Sequence, residues 1–472
     1  MENKKSYWLR SGFFTIASRL SGIIFGFGGF YLLARGLSKS DFGIWVLFLT
    51  IASFIEVGRI GLQHNALVKY LAGSEEEDYG KISLASLILN GLITFGFVLV
   101  LALIAKPLST FWETPVLQSM LYLYGITTIL LIPFIQFNAV QQANLDFRGT
   151  FWSTFVKQGL FFVYILVLYV SGIEIKILEL AIFQIIGAGA GALVSWWFAR
   201  PYINFSTRVD WAWLKELFHF GKFVFGTNIS TMLYKSIDKI MLGSLLSPIA
   251  VAMYELAIRI TNLAEVPTFS VAQIVFPQSA RTIEKEGKNG IKLLYEKSVG
   301  AILAILLPFI AFVMIFPEWI ITIIASEKYI DAVPILQLTM LYGLFIPFAV
   351  QCGTVLDSMG KPKINFFFTL IGAGLNIIFN YIFISNFGLL GAAYGTLTTY
   401  LVTFVMMQVI LYKELRVKYY NVFKHILPFY KEAFLMGKAY LKKKQAEPKN
   451  VEEPRIAVDG TKAAIAPESP NL

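Results

Sequence analysis

Cysteine and histidine are almost absent from this chain of 472 residues. The single cysteine, Cys352, excludes a disulfide framework and a cysteine-based metal site. The three histidines, His64, His219 and His425, lie too far apart in the sequence to suggest a zinc cluster. The sequence therefore carries no signature of metal chemistry, and it predicts no cofactor.

Charged residues are also scarce, at 15% of the chain, whereas hydrophobic residues make up 56% and the mean hydropathy is +0.65. A soluble core could not bury this much apolar surface, so the composition predicts an all-α integral membrane protein. The basic start of the chain precedes an apolar run that contains Arg19 and lacks a small-residue cleavage pattern. We therefore expect a retained first span here, and not a cleaved signal peptide.

Apolar stretches of about 18 to 25 residues, the length that crosses a bilayer as a helix, occur twelve times. The predicted transmembrane helices cover residues 12–34, 42–63, 82–105, 117–139, 151–171, 177–199, 219–243, 250–274, 298–325, 333–356, 364–385 and 389–412. A cytoplasmic stretch between the sixth and seventh spans divides them into two bundles of six. Parallel repeats of this kind are common in transporters, whose substrate path lies between the lobes.

The distribution of lysine and arginine predicts the orientation. With both termini in the cytoplasm, the inner loops before residue 413 and the adjoining ends of the spans hold eighteen basic residues, and the outer loops hold five. The positive-inside rule requires this asymmetry, and the opposite orientation would invert it. The net charge of +10 then mostly reflects membrane topology and contact with the membrane surface. It gives no reason to expect nucleic acid as a partner.

The stretches outside the two bundles differ in character. Residues 200–218 contain Trp211 and Trp213 and predict a short interfacial helix, whereas residues 413–445 are basic and aromatic. Such a basic amphipathic tail is typical of a segment that lies on the anionic lipids of the inner leaflet. The predicted domains are the N-terminal bundle 1–199, the linker 200–218, the C-terminal bundle 219–412, the tail 413–445 and a disordered end 446–472.

Charged side chains at membrane depth are costly unless they face a polar cavity or a partner, so their positions are informative. They are concentrated in spans one, two, seven and eight. The set is Arg19; Glu56 and Arg59; Lys235, Asp238 and Lys239; and Glu255, Arg259 and Glu265. Spans one and two correspond to spans seven and eight in the second half. We therefore expect two lobes whose first helical pairs face each other across a polar central cavity.

The spacing of these charges leaves two interpretations open. Three pairs have the spacing of ion pairs within one helix. They are Glu56 with Arg59, Lys235 with Asp238, and Glu255 with Arg259. If these pairs form, they neutralise themselves and stiffen the lobes, while Arg19, Lys239 and Glu265 are left without a local partner and need one elsewhere.

Two segments resemble a known family. The opening "GFFTIASRLSGIIFGFGGFYLLARGLSKSDFGIW" resembles the first two spans of the polysaccharide repeat-unit flippases, which are exporters of the O-antigen type. The segment "IDKIMLGSLLSPIAVAMYELAIRI" resembles the seventh and eighth spans of that family. Its superfamily also holds multidrug extruders and lipid II flippases. The resemblance covers most of residues 5–412.

The resemblance implies a cavity that opens alternately to each side of the bacterial inner membrane. The implied cargo is an undecaprenyl diphosphate-linked oligosaccharide, moved to the periplasmic leaflet for O-antigen and lipopolysaccharide synthesis. By position, the cations that would bind the diphosphate are Arg19, Lys235, Lys239 and Arg259. The residues that would balance this charge or carry a coupling proton or sodium ion are Glu56, Arg59, Asp238, Glu255 and Glu265. A polysaccharide polymerase is a further candidate partner.

A multidrug exporter and a membrane enzyme are the two alternatives to this expectation. A multidrug exporter of the same superfamily would share the fold, but a cavity for cationic drugs should be lined mainly by acids, and five of the span charges here are basic. A membrane enzyme such as a polymerase would need a long outer loop with catalytic residues. Every predicted outer loop has about fifteen residues or fewer and none holds an acid–base constellation, so we expect no enzyme.

Overall fold

The computed structural model describes residues 4–432, 434, 435 and 438 of this chain. It is built from helices, as the composition predicts. They are α1 (Lys4–Gly36), α2 (Lys39–Arg59), α3 (Asn65–Ala72), α4 (Glu76–Phe111), α5 (Pro115–Ala143), α6 (Phe147–Val170), α7 (Ile177–Ala199), α8 (Trp211–Leu245), α9 (Pro248–Thr261), α10 (Glu265–Ile315), α11 (Pro317–Ile324), α12 (Val333–Gly343), α13 (Ile346–Ser358), α14 (Pro362–Phe387) and α15 (Leu389–Leu415). A π-helical turn, Ile60–His64, joins α2 to α3.

Helices α1 to α7 form the first lobe, called the N lobe here. Within it α7 packs against α5 and α6, α4 packs against α5, and α1 packs against α6. The turn before α6 is fixed by Asp146, whose carboxylate accepts the backbone N–H of Arg148 and binds its guanidinium at 2.8 and 2.7 Å. The Arg148 guanidinium lowers the pKa of the Asp146 carboxyl below its ordinary value. This charge-assisted cap sets where α6 begins.

Helices α8 to α15 form the second lobe, called the C lobe here. Within it α14 packs against α15, α10 against α13, and α12 against both α9 and α15. Helix α10 is long because it contains two helical segments separated at Gly287, whose φ of 63° and ψ of −151° lie outside the helical region. Glycine tolerates such a positive φ without a steric penalty, so it is suited to interrupt the helix at this point.

All twelve predicted spans fall on helices, but within the described residues ten helices are long and apolar enough to cross a membrane. The two predicted spans outside this set are 219–243 and 250–274. Their physical difference is polarity, since these two carry six charged residues: Lys235, Asp238, Lys239, Glu255, Arg259 and Glu265. The expectation of an all-α integral membrane protein is confirmed.

The stretch between the bundles differs in detail from the expected short interfacial helix. Helix α8 runs without interruption from Trp211 to Leu245, so the amphipathic part of the linker and the seventh span form one helix. Its start is fixed by Asp210, whose carboxylate accepts the N–H groups of Ala212 and Trp213. The predicted disordered end, 446–472, and most of 433–445 lie outside the described residues.

A seam between α2 and the helical pair α8–α9 joins the two lobes. At one end of α2, a Cβ on Gly43 would come 1.8 Å from the carbonyl oxygen of Pro248. Near the other end, a Cβ on Gly221 of α8 would come 2.0 Å from the carbonyl oxygen of Leu62. Only glycine permits helices to approach this closely. The lobes therefore meet along the whole length of α2.

Candidate functional site

A cavity of about 340 Å³ lies between the lobes and is called the central cavity here. Helices α1, α2, α6 and α7 of the N lobe form most of its wall, and α8 and α9 of the C lobe close it. Its size is in the range of small-molecule sites, which measure about 300 to 1,000 Å³. Its charged lining residues are Lys239, Glu255 and Arg259, which are three of the residues predicted from the sequence.

In the central cavity two cations share one carboxylate. The Lys239 Nζ lies 3.0 Å from Glu255 Oε2, and a guanidinium nitrogen of Arg259 lies 4.0 Å from Glu255 Oε1. The Lys239 and Glu255 side chains are 17% and 12% exposed, whereas Arg259 is 40% exposed and also lies over the Phe30 ring of the N lobe. The group therefore carries a net positive charge, and Arg259 is the member most open to the cavity.

A second cavity of about 240 Å³ continues the first into the N lobe and is called the N-lobe chamber here. Both cavities share Leu49, Ser53, Gln158, Phe161 and Gln184 as lining residues. The charged residues of the chamber are Glu56 on α2 and Lys157 on α6, whose carboxylate and ammonium groups lie 3.6 Å apart.

The predicted pair of Glu56 with Arg59 is wrong, because Arg59 points into the N lobe instead. Arg59 is 1% exposed, and it donates to the Thr128 carbonyl oxygen at 2.8 Å and to Asn90 Oδ1 at 3.1 Å. Neutral oxygens of α4 and α5 thus hold this guanidinium. Arg59 therefore does not line either cavity.

The predicted pair of Lys235 with Asp238 is also wrong. Lys235 lies 3.0 Å from Glu265 on α10, which gives both residues a partner across a helix boundary. Asp238 turns into the C lobe and is 8% exposed. It accepts hydrogen bonds from Tyr254 at 2.7 Å, Asn380 at 2.5 Å and Thr396 at 3.1 Å.

The environment of Asp238 contains further oxygen atoms. The amide oxygens of Asn376 and Asn380 are buried, and no described residue donates a hydrogen bond to them. Asn376 donates its N–H to Thr396 at 3.3 Å, which places this side chain in the same cluster. The carboxylate can take up a proton, and it would form an oxygen-ligand set for a hard cation if the two amide groups turned their oxygens toward it.

Arg19 lies on an exposed part of α1 and is not among the residues that line the central cavity or the N-lobe chamber. Within the described residues it has no ion pair. Its role in binding stays a prediction.

Several lining residues were not singled out from the sequence. Gln158, Phe161 and Gln184 are uncharged, and residues of these types on an apolar helix are more often part of the packing. Lys157 was detectable in principle, because it lies inside the predicted span 151–171, where a charge is unusual. Its contribution depends on the contact between α6 and the cavity, which the local sequence does not encode.

A group of contacts joins the lobes where α1 meets α2 and is called the latch here. Arg35 donates to the carbonyl oxygens of Thr322 and Ile323, at the end of α11. Lys328 in turn donates to the carbonyl oxygens of Arg35 and Leu37, at the end of α1. Each lobe thus supplies a cation to the carboxyl end of a helix in the other lobe. An exposed pair, Lys39 with Asp331 at 3.2 Å, lies beside them.

Comparison with known proteins gives relatives that match parts of this chain. An uncharacterised membrane protein of Methanocaldococcus jannaschii is 29% identical over 225 residues, which is 48% of this chain and 44% of that protein. A protein of Haloferax volcanii, named as a probable low-salt glycan biosynthesis flippase, is 25% identical over 41% of each chain. This chain therefore matches less than half the length of these two relatives.

Solved structures match almost the whole fold. The lipid II flippase MurJ in an inward closed conformation has a TM-score of 0.71 at 16% identity, over 91% of this chain and 92% of MurJ. An inward-facing multidrug resistance transporter of the MATE family has a TM-score of 0.67 at 15% identity, over 87% of this chain and 95% of that one. At these identities the likeness shows the fold alone.

The family model described as "Polysaccharide biosynthesis protein" matches residues 32–334, which include every lining residue of the central cavity except Phe25, Gly26, Gly29 and Phe30 of α1. The match spans more than half of the sequence and confirms the family that the sequence resembles. This multi-pass membrane protein with a transporter fold belongs to the polysaccharide biosynthesis protein family.

Proposed function

We propose that this protein flips a lipid-linked oligosaccharide across the membrane, with an undecaprenyl carrier joined to the glycan through a diphosphate. The cargo enters the central cavity from the cytoplasmic leaflet of a bacterial inner membrane and leaves in the outer leaflet. Both termini lie in the cytoplasm, as the distribution of basic loop residues predicts, and the latch then lies on the outer side.

The observation that carries this proposal is the excess of positive charge at the lobe interface. Lys239 and Arg259 share the single carboxylate of Glu255, so a diphosphate that enters the cavity meets a cationic surface. Guanidinium groups bind phosphate oxygens through two parallel N–H groups, and Arg259 is exposed enough to do so.

The rest of the lining supports a glycan next to that phosphate. The aromatic rings of Phe25, Phe30, Trp45 and Phe161 present apolar faces, and Gln158 and Gln184 present amide groups. Sugars combine apolar C–H faces with hydroxyl groups, so this mixture of aromatic and polar lining residues is complementary to them. The name of the Haloferax volcanii relative agrees with a glycan cargo.

A multidrug exporter is the second candidate function, because the MATE family transporter shares the fold. A site for cationic drugs needs an excess of acidic groups. The two cavities together hold the bases Lys157, Lys239 and Arg259 against the acids Glu56 and Glu255. This balance favours an anionic cargo.

Asp238 is the residue we assign to coupling. Its carboxylate, the unpaired amide oxygens of Asn376 and Asn380 and the Thr396 hydroxyl would hold a sodium ion, or the carboxylate would hold a proton. Such a cation would supply the driving energy through its gradient. In its absence the carboxylate keeps its three hydrogen bonds to neutral donors.

The test is a flipping assay in reconstituted vesicles. A fluorescent undecaprenyl diphosphate oligosaccharide is placed in one leaflet, and an impermeant quencher measures its arrival in the other. We expect rapid flipping by the wild-type protein and at least tenfold slower flipping by Arg259→Gln, since a charge-assisted contact is worth more than about 1.4 kcal/mol. Efflux of a cationic dye is measured in parallel.

Arg208→Gln is the matched control, because Arg208 lies exposed in the loop before α8. It should flip the lipid at the wild-type rate. Export of the dye without flipping of the lipid would instead establish the multidrug function.

A further inference from the structure

The N-lobe chamber differs in charge from the cationic group at the lobe interface. Its acid and its base, Glu56 and Lys157, lie 3.6 Å apart and balance each other. Both remain accessible, since the Glu56 and Lys157 side chains are 42% and 27% exposed. The Lys157 ammonium is also held over the Phe134 ring, 5.0 Å from its centre. The chamber is therefore neutral overall but holds two separate charges that a ligand can reach.

The amide groups of the chamber lack protein partners. Within the described residues the Gln184 side chain forms no hydrogen bond, and the Gln158 amide oxygen is buried without a donor. Most buried polar groups are bonded to protein or to ordered water, so an unpaired amide in a cavity wall is available to a ligand group. The free Gln184 amide can donate to and accept from a hydroxyl group, which is the commonest group on a sugar, and the Gln158 amide lines the same chamber.

An aromatic platform accompanies the two amides in the lining that the two cavities share. Phe161 lines both cavities and stacks on Trp45 with ring centres 5.8 Å apart and an angle of 14° between the planes. The exposed face of such a stacked ring is rigid and apolar. It can hold the C–H face of a sugar ring while the amides bind the hydroxyl groups.

We propose that the N-lobe chamber is a sugar subsite that accepts uncharged rings, with Glu56 and Lys157 as its charge filter. This inference rests on the proposed function. The cargo would then occupy two positions, called poles here: the diphosphate lies at Lys239 and Arg259, and a sugar lies at Gln158, Gln184 and Phe161. The continuity of the two cavities allows one molecule to occupy both poles.

The filter works through like charges. A uronic acid in the chamber would place its carboxylate beside Glu56, while Lys157 is already engaged with that residue. A sugar with a free amino group would place its ammonium beside Lys157. Each unfavourable pair lies in a partly dry site, where like charges repel more strongly than in water. A neutral ring avoids both contacts.

The test uses four probes that share one fluorescent undecaprenyl diphosphate carrier. They carry glucose, glucuronic acid, glucosamine with a free amino group, or no sugar. In reconstituted vesicles we expect the wild-type protein to flip the glucose probe at least tenfold faster than either charged probe.

Two variants then separate a charge filter from a structural ion pair, because they change the selectivity in opposite directions. Glu56→Gln frees Lys157, so the ratio of glucuronic acid to glucose flipping should rise about tenfold. Lys157→Gln frees Glu56, so the ratio of glucosamine to glucose flipping should rise about tenfold instead. If the ion pair is purely structural, both variants should lower all flipping rates together and leave both ratios unchanged. This outcome would overturn the inference.

Matched controls and a separate readout keep this test apart from that of the proposed function. Glu318→Gln and Lys106→Gln change exposed residues outside both cavities and should keep the wild-type ratios. Gln184→Leu should slow the glucose probe about tenfold and leave the sugar-free carrier at its wild-type rate; equal loss for both would count against a sugar subsite. If the wild-type protein flips none of the four probes, the proposed function itself fails.

Discussion

Among the described residues, Arg59 in the N lobe and Asp238 in the C lobe are both buried without an ion-pair partner, and their charges have opposite signs. In the N lobe the Arg59 guanidinium is held by the Thr128 carbonyl oxygen and Asn90 Oδ1. In the C lobe the Asp238 carboxylate is held by neutral N–H and O–H donors. In both side chains, hydrogen bonds to water are therefore replaced by hydrogen bonds to neutral protein groups. This reduces but does not remove the cost of burying a charge.

The two sites differ in whether their charge can change. A guanidinium keeps its proton in proteins and only donates hydrogen bonds, so Arg59 is a permanent link between α2, α4 and α5. A carboxylate can take up a proton or a metal cation, and unpaired amide oxygens of Asn376 and Asn380 lie in the same cluster. We infer from this difference that Arg59 gives rigidity to the N lobe, whereas Asp238 couples transport to a cation in the C lobe.

The first prediction concerns Arg59 and has the largest expected effect on stability. Arg59→Met fills a similar volume but removes two hydrogen bonds from a charged donor and leaves Asn90 Oδ1 and the Thr128 carbonyl without them. We expect a loss of about 3 kcal/mol, because bonds to charged groups contribute about 1.5 to 3 kcal/mol each. The midpoint of thermal unfolding in detergent measures it. The exposed control Arg208→Met should keep the wild-type midpoint. A wild-type midpoint for Arg59→Met as well would contradict a structural role for Arg59.

The second prediction concerns Asp238 and tests the other side of the comparison. Asp238→Asn keeps the shape and two of the three hydrogen bonds, so stability should fall by only about 1 kcal/mol. Flipping driven by a sodium or proton gradient should drop at least tenfold and become independent of the gradient. Asp210→Asn is the matched control, since asparagine caps a helix as well as aspartate does. A variant that still responds fully to the gradient would contradict a coupling role for Asp238.

The contrast between Arg59 and Asp238 also shows which features a sequence can predict. Hydropathy depends on each stretch by itself, so every predicted span falls on a helix. The charge pattern predicted that spans one, two, seven and eight line the cavity, and these four helices do line the central cavity together with α6 and α7. Partners were predicted less well, since spacing along one helix suggested the pairs Glu56–Arg59 and Lys235–Asp238, and the structure has neither.

The reason is that partners come from distant helices. Asp238 is bonded to Asn380 and Thr396, which lie 142 and 158 residues further along the chain. Glu56 is paired with Lys157 on α6. Spacing of three or four residues makes a pair geometrically allowed, but the contribution of such a pair is only about 0.2 to 0.5 kcal/mol. Tertiary contacts that satisfy a buried group outweigh it.

The third prediction extends the comparison to the half-buried cation of the latch. Lys328→Met removes two hydrogen bonds to the end of α1 and should weaken the closed arrangement by about 1 to 2 kcal/mol. Spin labels on Ser40→Cys and Glu327→Cys, in a Cys352→Ala background, report the distance between the lobes at this end. The population with a longer distance should rise at least fivefold. The same labels with Lys106→Met should give the wild-type distribution, and an unchanged distribution in Lys328→Met would show that the latch does not hold the lobes.

The last prediction concerns the most exposed charge of the series and has the smallest expected effect. The Lys39–Asp331 pair is 3.2 Å long, but Asp331 is 66% exposed, so water and salt screen the attraction. Lys39→Gln should therefore change the labelled distance distribution by less than about 0.5 kcal/mol, and high salt should remove even this difference. A shift as large as that of Lys328→Met would mean that burial does not set the strength of these interlobe contacts. In that case the contrast between Arg59 and Asp238 would also need an explanation other than their removal from water.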